Sequence, residues 1–110
     1  MTKYRAKPCT IDGIKFASQG EGNRYCELKI MAKAGLIQDL RLQPRYVIQD
    51  GFQHATAGRV QAIVYVGDFQ YTKNGKMIVE DYKGFETAVF KLKRKMFLKC
   101  YPEIELRVTK

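Results

Sequence analysis

The sequence predicts a single mixed α/β (α+β) domain in which two helices flank a mixed sheet centred on a β-hairpin. Asn74-Gly75 separates two strand-like runs within residues 62–84, and Asn-Gly is the strongest short-range hairpin signal. A helix-start signature lies at Ser18, and a second helical pattern from Glu86 to Cys100 precedes the strand-like run IELRVT. The predicted order is therefore helix, three strands, helix, strand.

The N-terminal segment, residues 1–17, is predicted to be a basic arm that leads into a short hairpin. Its first 16 residues, MTKYRAKPCTIDGIKF, contain an Asp12-Gly13 turn signal. A chain of 110 residues can bury one core, and no change of composition marks a boundary. We therefore expect residues 1–110 to form a single domain.

The first helix is predicted from Ser18 to a stop at Gly35, because Ser18 and Glu21 have the S-x-x-E spacing of a capping box. Tyr25, Leu28 and Ala32 form the predicted core-facing stripe. Glu21 lies four residues before Tyr25 and so projects toward the same side. Its carboxylate either completes the cap, which is the favoured interpretation, or reaches a metal site.

The segment between Leu36 and Gln49 is predicted to be one strand interrupted near Pro44, or two short strands. Gln43 is interpreted as a solvated edge residue rather than one facing a site. Residues 50–58 are rich in small side chains and are predicted to be a loop with His54 on its surface.

The central hairpin fixes which residues face each other if Asn74 and Gly75 are the middle of a type I′ turn. Lys73 then lies opposite Lys76, Tyr71 opposite Ile78, Phe69 opposite Glu80, and Asp68 opposite Asp81. Lys83, two residues after Asp81, falls on the same face, where it either belongs to a metal site with the acids or simply pairs with Asp81 near the sheet edge. Opposed like charges destabilise a sheet, whereas a hard cation shared between carboxylates would stabilise it. A one-residue bulge would put Glu80 opposite Asp68 instead, so both acids remain candidates.

The second helix is predicted to face the sheet with Val89, Leu92, Met96 and Cys100, which recur at helical spacing. The other positions are crowded with cations, and no acid follows Glu86 within the helix. This basic face is either solvated surface or a phosphate-binding surface. The cations are Lys91, Lys93, Arg94, Lys95 and Lys99.

The amino-acid composition indicates which class of partner the protein binds and in which cellular compartment it works. A net charge of +9 indicates a polyanionic partner, with nucleic acid ahead of an anionic membrane surface. Three cysteines without CxxC spacing indicate reduced thiols, and a single histidine gives no basis for a zinc site. No apolar run resembles a signal peptide or a membrane span. We therefore expect a cytoplasmic protein.

The acids and the lysine resemble a known motif. Glu21 in a first helix, Asp68, and then Asp81-Tyr82-Lys83 resemble the PD-(D/E)XK nuclease superfamily, whose restriction-endonuclease-like core has the order αβββαβ. Nearly the whole chain is similar to a family of small phage and prophage proteins placed in that superfamily. The similar stretches are DGIKFASQGE, RYCELKIMAKAG, LQPRYVIQ, DFQY, VEDYKGF and KLKRKMFLKCYPEIELRV. Gly22 departs from the helix-forming residue usual in that family, and Gly67 departs from the superfamily's proline.

The resemblance implies a Mg²⁺- or Mn²⁺-dependent endodeoxyribonuclease. It implies that Glu21, Asp68, Asp81 and the Tyr82 carbonyl hold the metal, and that Lys83 orients the attacking water and stabilises developing charge. Small one-domain members resemble Holliday-junction resolvases that act as homodimers. The implied substrate is therefore branched DNA in phage replication or recombination, within the host cytoplasm.

The alternative function is a non-catalytic nucleic-acid-binding protein that keeps the nuclease fold and uses its basic helix on the DNA backbone. The complete set of acids with a lysine favours the nuclease, because a pure binder gains nothing from carboxylates placed near phosphates.

Overall fold

The computed structural model describes residues 7–110 and confirms a mixed α+β class. In chain order the elements are β1 Cys9–Ile11, β2 Ile14–Phe16, α1 Gln19–Lys33, β3 Gln38–Leu42, β4 Arg45–Gln49, β5 Phe52–His54, β6 Gly58–Val60, β7 Ile63–Val66, β8 Phe69–Lys73, β9 Lys76–Tyr82, α2 Ala88–Cys100 and β10 Glu105–Thr109.

The N-terminal prediction is tested only in part, because residues 1–6 of the predicted arm lie outside the described residues. The predicted short hairpin is present as β1 and β2, which pair antiparallel. Asp12 and Gly13 join them with φ of 55° and 76°. Two consecutive positive φ angles are what a type I′ turn requires, which explains why Asp-Gly stands here.

The main sheet has four strands in the order β10-β9-β8-β3, with β10 parallel to β9 and the other pairs antiparallel. The parallel pair is joined through α2, since parallel neighbours need a long crossover. The predicted hairpin register is confirmed, with Phe69 opposite Glu80 and Lys73 opposite Lys76. Its turn residues Asn74 and Gly75 have φ of 52° and 78°. Helices and main-sheet strands thus follow the order α1, β3, β8, β9, α2, β10.

Residues 45–66 form an antiparallel ribbon that leaves the main sheet, with β4 paired to β7 and β5 paired to β6. Of the two predictions for residues 36–49, two short strands is therefore the right one. The predicted loop at 50–58 is wrong, because most of it belongs to the β5–β6 hairpin. Its turn is held by the imidazole of His54, whose Nδ1 accepts hydrogen bonds from the backbone N–H groups of Thr56 and Ala57 at 3.1 and 3.0 Å.

The first strand of the predicted central hairpin is also corrected. It is two strands, β7 and β8, which belong to different sheets. The chain changes sheets at Gly67-Asp68. Asp68 therefore lies where the backbone leaves one sheet and enters the next, rather than within a continuous strand.

Two apolar clusters hold the domain together. The first joins α1 and the β1–β2 hairpin to the sheet, and it confirms the predicted burial of Tyr25 and Leu28, with Ala32 packed against it. The second lies under α2 and contains Ile48, Tyr65, Val79, Phe90, Phe97 and Ile104.

The predicted core face of α2 is wrong, because the buried positions lie one residue further along the helix than predicted. Val89 and Leu92 are 62% and 60% exposed, Cys100 is exposed, and only Met96 of the predicted set packs on the core. The buried positions are Phe90 and Phe97. One residue turns a helix by about 100°, and the Phe97 ring selects this face by packing 5.1 Å from both Tyr46 and Tyr65.

Cys9, Cys26 and Cys100 are all unpaired. Neither helix within residues 7–110 is long and apolar enough to cross a membrane.

Candidate functional site

The first turn of α1 brings Glu21 to the end of the main sheet. Ser18 caps the helix by accepting a hydrogen bond from the backbone N–H of Glu21 at 3.1 Å. The Glu21 side chain itself is only 9% exposed. Burial, and then the nearby charge of Asp81, raises its pKa, while Lys83 opposes the shift. The cap is therefore made by Ser18, and the Glu21 carboxylate lies near Asp81 and Lys83.

Two glycines on either side of Glu21 allow this close fit. A Cβ at Gly20 would collide with the Tyr82 ring, and a Cβ at Gly22 would lie 2.6 Å from the Cys9 sulfur. The helix turn is thus held between β9 and the β1–β2 hairpin. Gly22, which replaces a helix-forming residue, lets the hairpin approach α1 and does not displace Glu21.

Asp68 is fixed to the end of β9 by backbone hydrogen bonds. Its N–H donates to the Glu80 carbonyl at 2.9 Å, and its Oδ2 accepts from the Tyr82 N–H at 2.6 Å. The preceding Gly67 donates its N–H to the Pro44 carbonyl at 3.0 Å. Proline could not make that bond, which gives a physical reason for glycine at this position.

Asp81 is 1% exposed and faces the α2 side of the sheet, where the Tyr65 hydroxyl donates to its Oδ2. The Lys83 ammonium lies 3.4 Å from Oδ1. Oδ1 is buried and accepts no hydrogen bond from any residue in the described part of the chain. Tyr65 is not among the predicted site residues, because a tyrosine within the apolar run IVYV is most simply a core residue.

Asp68 and Asp81 lie close enough for their charges to interact. Burial raises the pKa of Asp68 to about 7, and the charges of Asp81 and Glu21 act in the same direction. The hydrogen bond from Tyr82 opposes the shift. The Asp68 carboxyl therefore keeps its proton to a higher pH than a solvated aspartate does.

Glu80, the other candidate, points to the opposite face of the sheet. Arg24 on α1 grips it with two hydrogen bonds, of 2.8 Å to Oε1 and 2.7 Å to Oε2, and the Tyr71 hydroxyl donates to Oε2. Burial alone would raise the pKa of Glu80, but these partners hold it below its ordinary value. Asp81, not Glu80, therefore faces Asp68.

The ligand types at this site suit a hard divalent cation, although the side chains of the described residues do not form a complete coordination shell. Within residues 7–110, no three His, Cys, Asp or Glu side chains are grouped tightly enough to form a complete metal cluster. However, Mg²⁺ commonly binds one or two carboxylates and takes its other ligands from water and substrate phosphate. The Asp68–Asp81 pair, with the unbonded Oδ1 of Asp81, meets that requirement. The Tyr82 carbonyl as a ligand stays a prediction.

The basic face of α2 is divided into two groups. Lys93 donates to the Val64 carbonyl at 3.0 Å. Arg94 lies 3.3 Å from Glu86 and covers the Phe90 ring at 5.2 Å. These two side chains are part of the fold, which corrects the expectation of a wholly solvated or phosphate-binding face. The exposed cations are Lys91, Lys95 and Lys99.

A pocket of about 350 Å³ lies beside the acids and has both Glu21 and Asp68 in its wall. Gln43 lines it too and is exposed, so it is solvated as interpreted from the sequence and also borders the site. Lys15 is a further lining residue, which no signal in the sequence singles out. A larger cavity of about 640 Å³ between β7 and α2 has no carboxylate in its wall, so it offers no ligand for a hard cation.

Over residues 1–110 the chain matches the family described as "Protein of unknown function (DUF1064)". No curated protein and no solved structure matches the chain.

Proposed function

Because the chain belongs to the family described as "Protein of unknown function (DUF1064)", whose description states no reaction, we propose a function from the site itself. The proposal is a Mg²⁺- or Mn²⁺-dependent DNA endonuclease that hydrolyses phosphodiester bonds. The observation that carries it is the pair of carboxyls, Asp68 and Asp81, with the Lys83 ammonium 3.4 Å from Asp81 and Glu21 beside them.

The arrangement of the main sheet supports a restriction-endonuclease-like core. The order α1, β3, β8, β9, α2, β10 is the αβββαβ order of the PD-(D/E)XK superfamily resembled by the sequence. Asp68 directly precedes β8, and Asp81 lies in β9, so the acids come from adjacent strands of the sheet.

The proposed mechanism assigns a task to each side chain. Asp68, Asp81 and Glu21 would hold the ion, which when bound polarises the phosphate and lowers the pKa of a bound water. Tyr65 engages Oδ2 of Asp81, so Oδ1 is the oxygen left to act as a ligand. The Lys83 ammonium would donate to the phosphate oxygens as negative charge develops on them.

The substrate class follows from charge and resemblance. A net charge of +9 suits a polyanion. We propose branched DNA, such as a Holliday junction in phage replication or recombination, cut in the cytoplasm by a homodimer. A two-fold dimer presents two equivalent sites to two symmetric strands.

One observation favours a second candidate function. No complete metal cluster is formed by the side chains of residues 7–110. A non-catalytic DNA-binding protein that retains the fold would have this property, and it would bind through the exposed lysines of α2.

A cleavage assay separates the two functions. Labelled junction, flap, single-stranded and duplex DNAs are incubated with Mg²⁺, with Mn²⁺ or with EDTA. The parent should cut at least one of them only with metal. Asp68→Asn should reduce cutting to background, and Lys83→Ala should lower turnover by about 10²–10³ while metal still binds.

The matched control is Asp50→Asn, which makes the same chemical change at an exposed residue of the ribbon. It should cut like the parent. Binding without cutting of any substrate would favour the non-catalytic function. Equal cutting by Asp68→Asn and the parent would contradict the nuclease.

A further inference from the structure

The lining of the pocket beside the acids combines acidic, basic and amide side chains. Glu21 and Asp68 contribute carboxylates, whereas Lys15 on β2 contributes an ammonium and Gln43 contributes an amide. The remaining lining is apolar and comes from Pro8, Phe16 and Ala17. The pocket therefore holds a cation and an amide next to the place where the proposed reaction occurs.

Lys15 supplies the positive charge in the lining of this pocket. Its side chain is exposed, and it makes no ion pair with a carboxylate of residues 7–110. The nearby Lys83, by contrast, is paired with Asp81 and lies over the Phe90 ring at 4.9 Å. An ammonium without a carboxylate partner is available to an anion from outside the chain.

Gln43 is held at the pocket by its backbone. It occupies the connection between β3 and β4 with φ of 51°, and its N–H donates to the Asp68 carbonyl at 2.9 Å. The left-handed region is unfavourable for a non-glycine residue and is found where the surrounding structure imposes it. The hydrogen bond ties the Gln43 backbone to Asp68, so the amide side chain starts from a fixed point beside the acids.

We propose that this pocket is a subsite for a second phosphate of the DNA strand, the one next to the phosphate that is cleaved. Lys15 supplies a point charge for its oxygens, and the Gln43 amide donates a hydrogen bond. The inference rests on the proposed nuclease function. Its physical basis is that a strand entering an acidic site must carry further phosphates past carboxylates that repel them. A cation in the lining of the same pocket offsets that repulsion.

The first test measures binding and turnover of Lys15→Ala. Binding is measured with Ca²⁺ in place of Mg²⁺, over a range of salt concentrations. The variant should bind several-fold more weakly, and its log–log salt slope should fall by about 0.9 on duplex DNA or about 0.7 on a single strand. KM should rise with kcat unchanged, because the contact is equal in the ground and transition states.

The matched control is Lys76→Ala, which removes the same charge at the far end of β9. That strand has seven residues. At about 3.3 Å per residue, Lys76 therefore lies about 20 Å from Tyr82 at the end of the strand near the acids. It should keep the parent's KM. Lys15→Arg keeps the charge and should keep the parent's salt slope.

The second test locates the phosphate. Single uncharged methylphosphonates are placed at successive positions around the cut. At the position next to the cut, the methylphosphonate should weaken DNA binding by the parent. It should hardly weaken binding by Lys15→Ala, because that variant already lacks the contact. Gln43→Ala should show the same non-additivity at that position to a smaller extent.

The outcomes distinguish this inference from the proposed function. Additive losses at every position, with cleavage by the parent intact, would overturn the phosphate subsite alone. The subsite would also be overturned, with the nuclease left standing, if Lys15→Ala has the KM and salt slope of Lys76→Ala. A parent that neither binds nor cuts any DNA would overturn both.

Discussion

Glu80 and Asp81 are neighbours in β9 and both are acids. Of the two, only Glu80 has hydrogen-bond donors within residues 7–110 for both of its carboxylate oxygens. Glu80 receives a two-pronged grip from Arg24 and a hydrogen bond from Tyr71. Asp81 receives Tyr65 on one oxygen and a single lysine at 3.4 Å near the other. Strand alternation sends the two side chains to opposite faces. The incomplete hydrogen bonding of Asp81 is therefore one reason to place the proposed site on its face.

The titration of Asp68 gives a prediction for the metal-free protein. Its pKa is raised from 3.8 to about 7, so the folded state binds the proton more tightly than the unfolded state does. The stabilisation is complete below pH 4 and is lost as pH rises toward and through 7. In EDTA, the parent's free energy of unfolding should therefore decrease between pH 4 and pH 8, as measured by urea denaturation.

Asp68→Asn should flatten that decrease and should be at least as stable as the parent at pH 8. An asparagine oxygen can still accept the Tyr82 N–H, and its amide can donate to Asp81. Asp50→Asn, at an exposed aspartate, should retain the parent's pH dependence. Identical pH dependence in the parent and Asp68→Asn would contradict the buried carboxyl pair.

Single residues differ in how much their sequence context reveals. Glu21, Asp68, Asp81 and Lys83 can be singled out because charges on a buried strand or helix face are costly and so need a reason. Tyr65 cannot, because its aromatic ring belongs to the core and only its hydroxyl belongs to the site. Lys15 and Gln43 come together at the pocket only because the fold brings β2 next to the β3–β4 connection. No local sequence pattern indicates that contact.

Among the elements, α2 shows where periodicity is insufficient. Both the predicted and the observed faces contain large apolar residues at helical spacing. The choice between them is made by ring contacts of Phe90 and Phe97 with tyrosines from β4 and β7. Those partners lie 25 or more positions earlier, so they are invisible to a window on the helix.

The exposed lysines of α2 give the second prediction. Lys91, Lys95 and Lys99 repeat every four residues and so form one stripe along the helix. Replacing all three with alanine should lower the log–log salt slope of duplex DNA binding by up to about 0.9 per lost phosphate contact. The melting temperature should change little, because alanine favours helix and the side chains are solvated.

Lys93→Ala is the contrasting variant. Its ammonium donates to the Val64 carbonyl, so its loss should lower the melting temperature and leave the salt slope less affected than the triple change does. If the triple variant binds DNA with the parent's affinity and slope, the stripe is ordinary solvated surface.

Across the whole chain, structure is most predictable where turns and caps are local. The Asn74-Gly75 hairpin, the Ser18 cap and the final strand are all written in a few adjacent residues. The β4–β7 ribbon is not predictable in this way, because its turn depends on the His54 imidazole accepting two backbone N–H groups. No glycine or asparagine pair announces such a turn. The break between β7 and β8 is hidden for a similar reason, since Gly67 pairs with Pro44 from a distant segment.

At the scale of the whole molecule, the proposed nuclease function requires that this basic domain binds a divalent cation between Asp68 and Asp81. The measurement is a melting curve with and without Mn²⁺ for the parent, Asp68→Asn, Asp81→Asn and Asp50→Asn. A ligand that binds only the folded state raises stability by RT ln(1 + [L]/Kd), which is about 2.7 kcal/mol at a hundred times Kd. The parent and Asp50→Asn should therefore melt several degrees higher in Mn²⁺, and the two site variants should not. Absence of a shift in the parent, or equal shifts in all four proteins, would contradict the metal site.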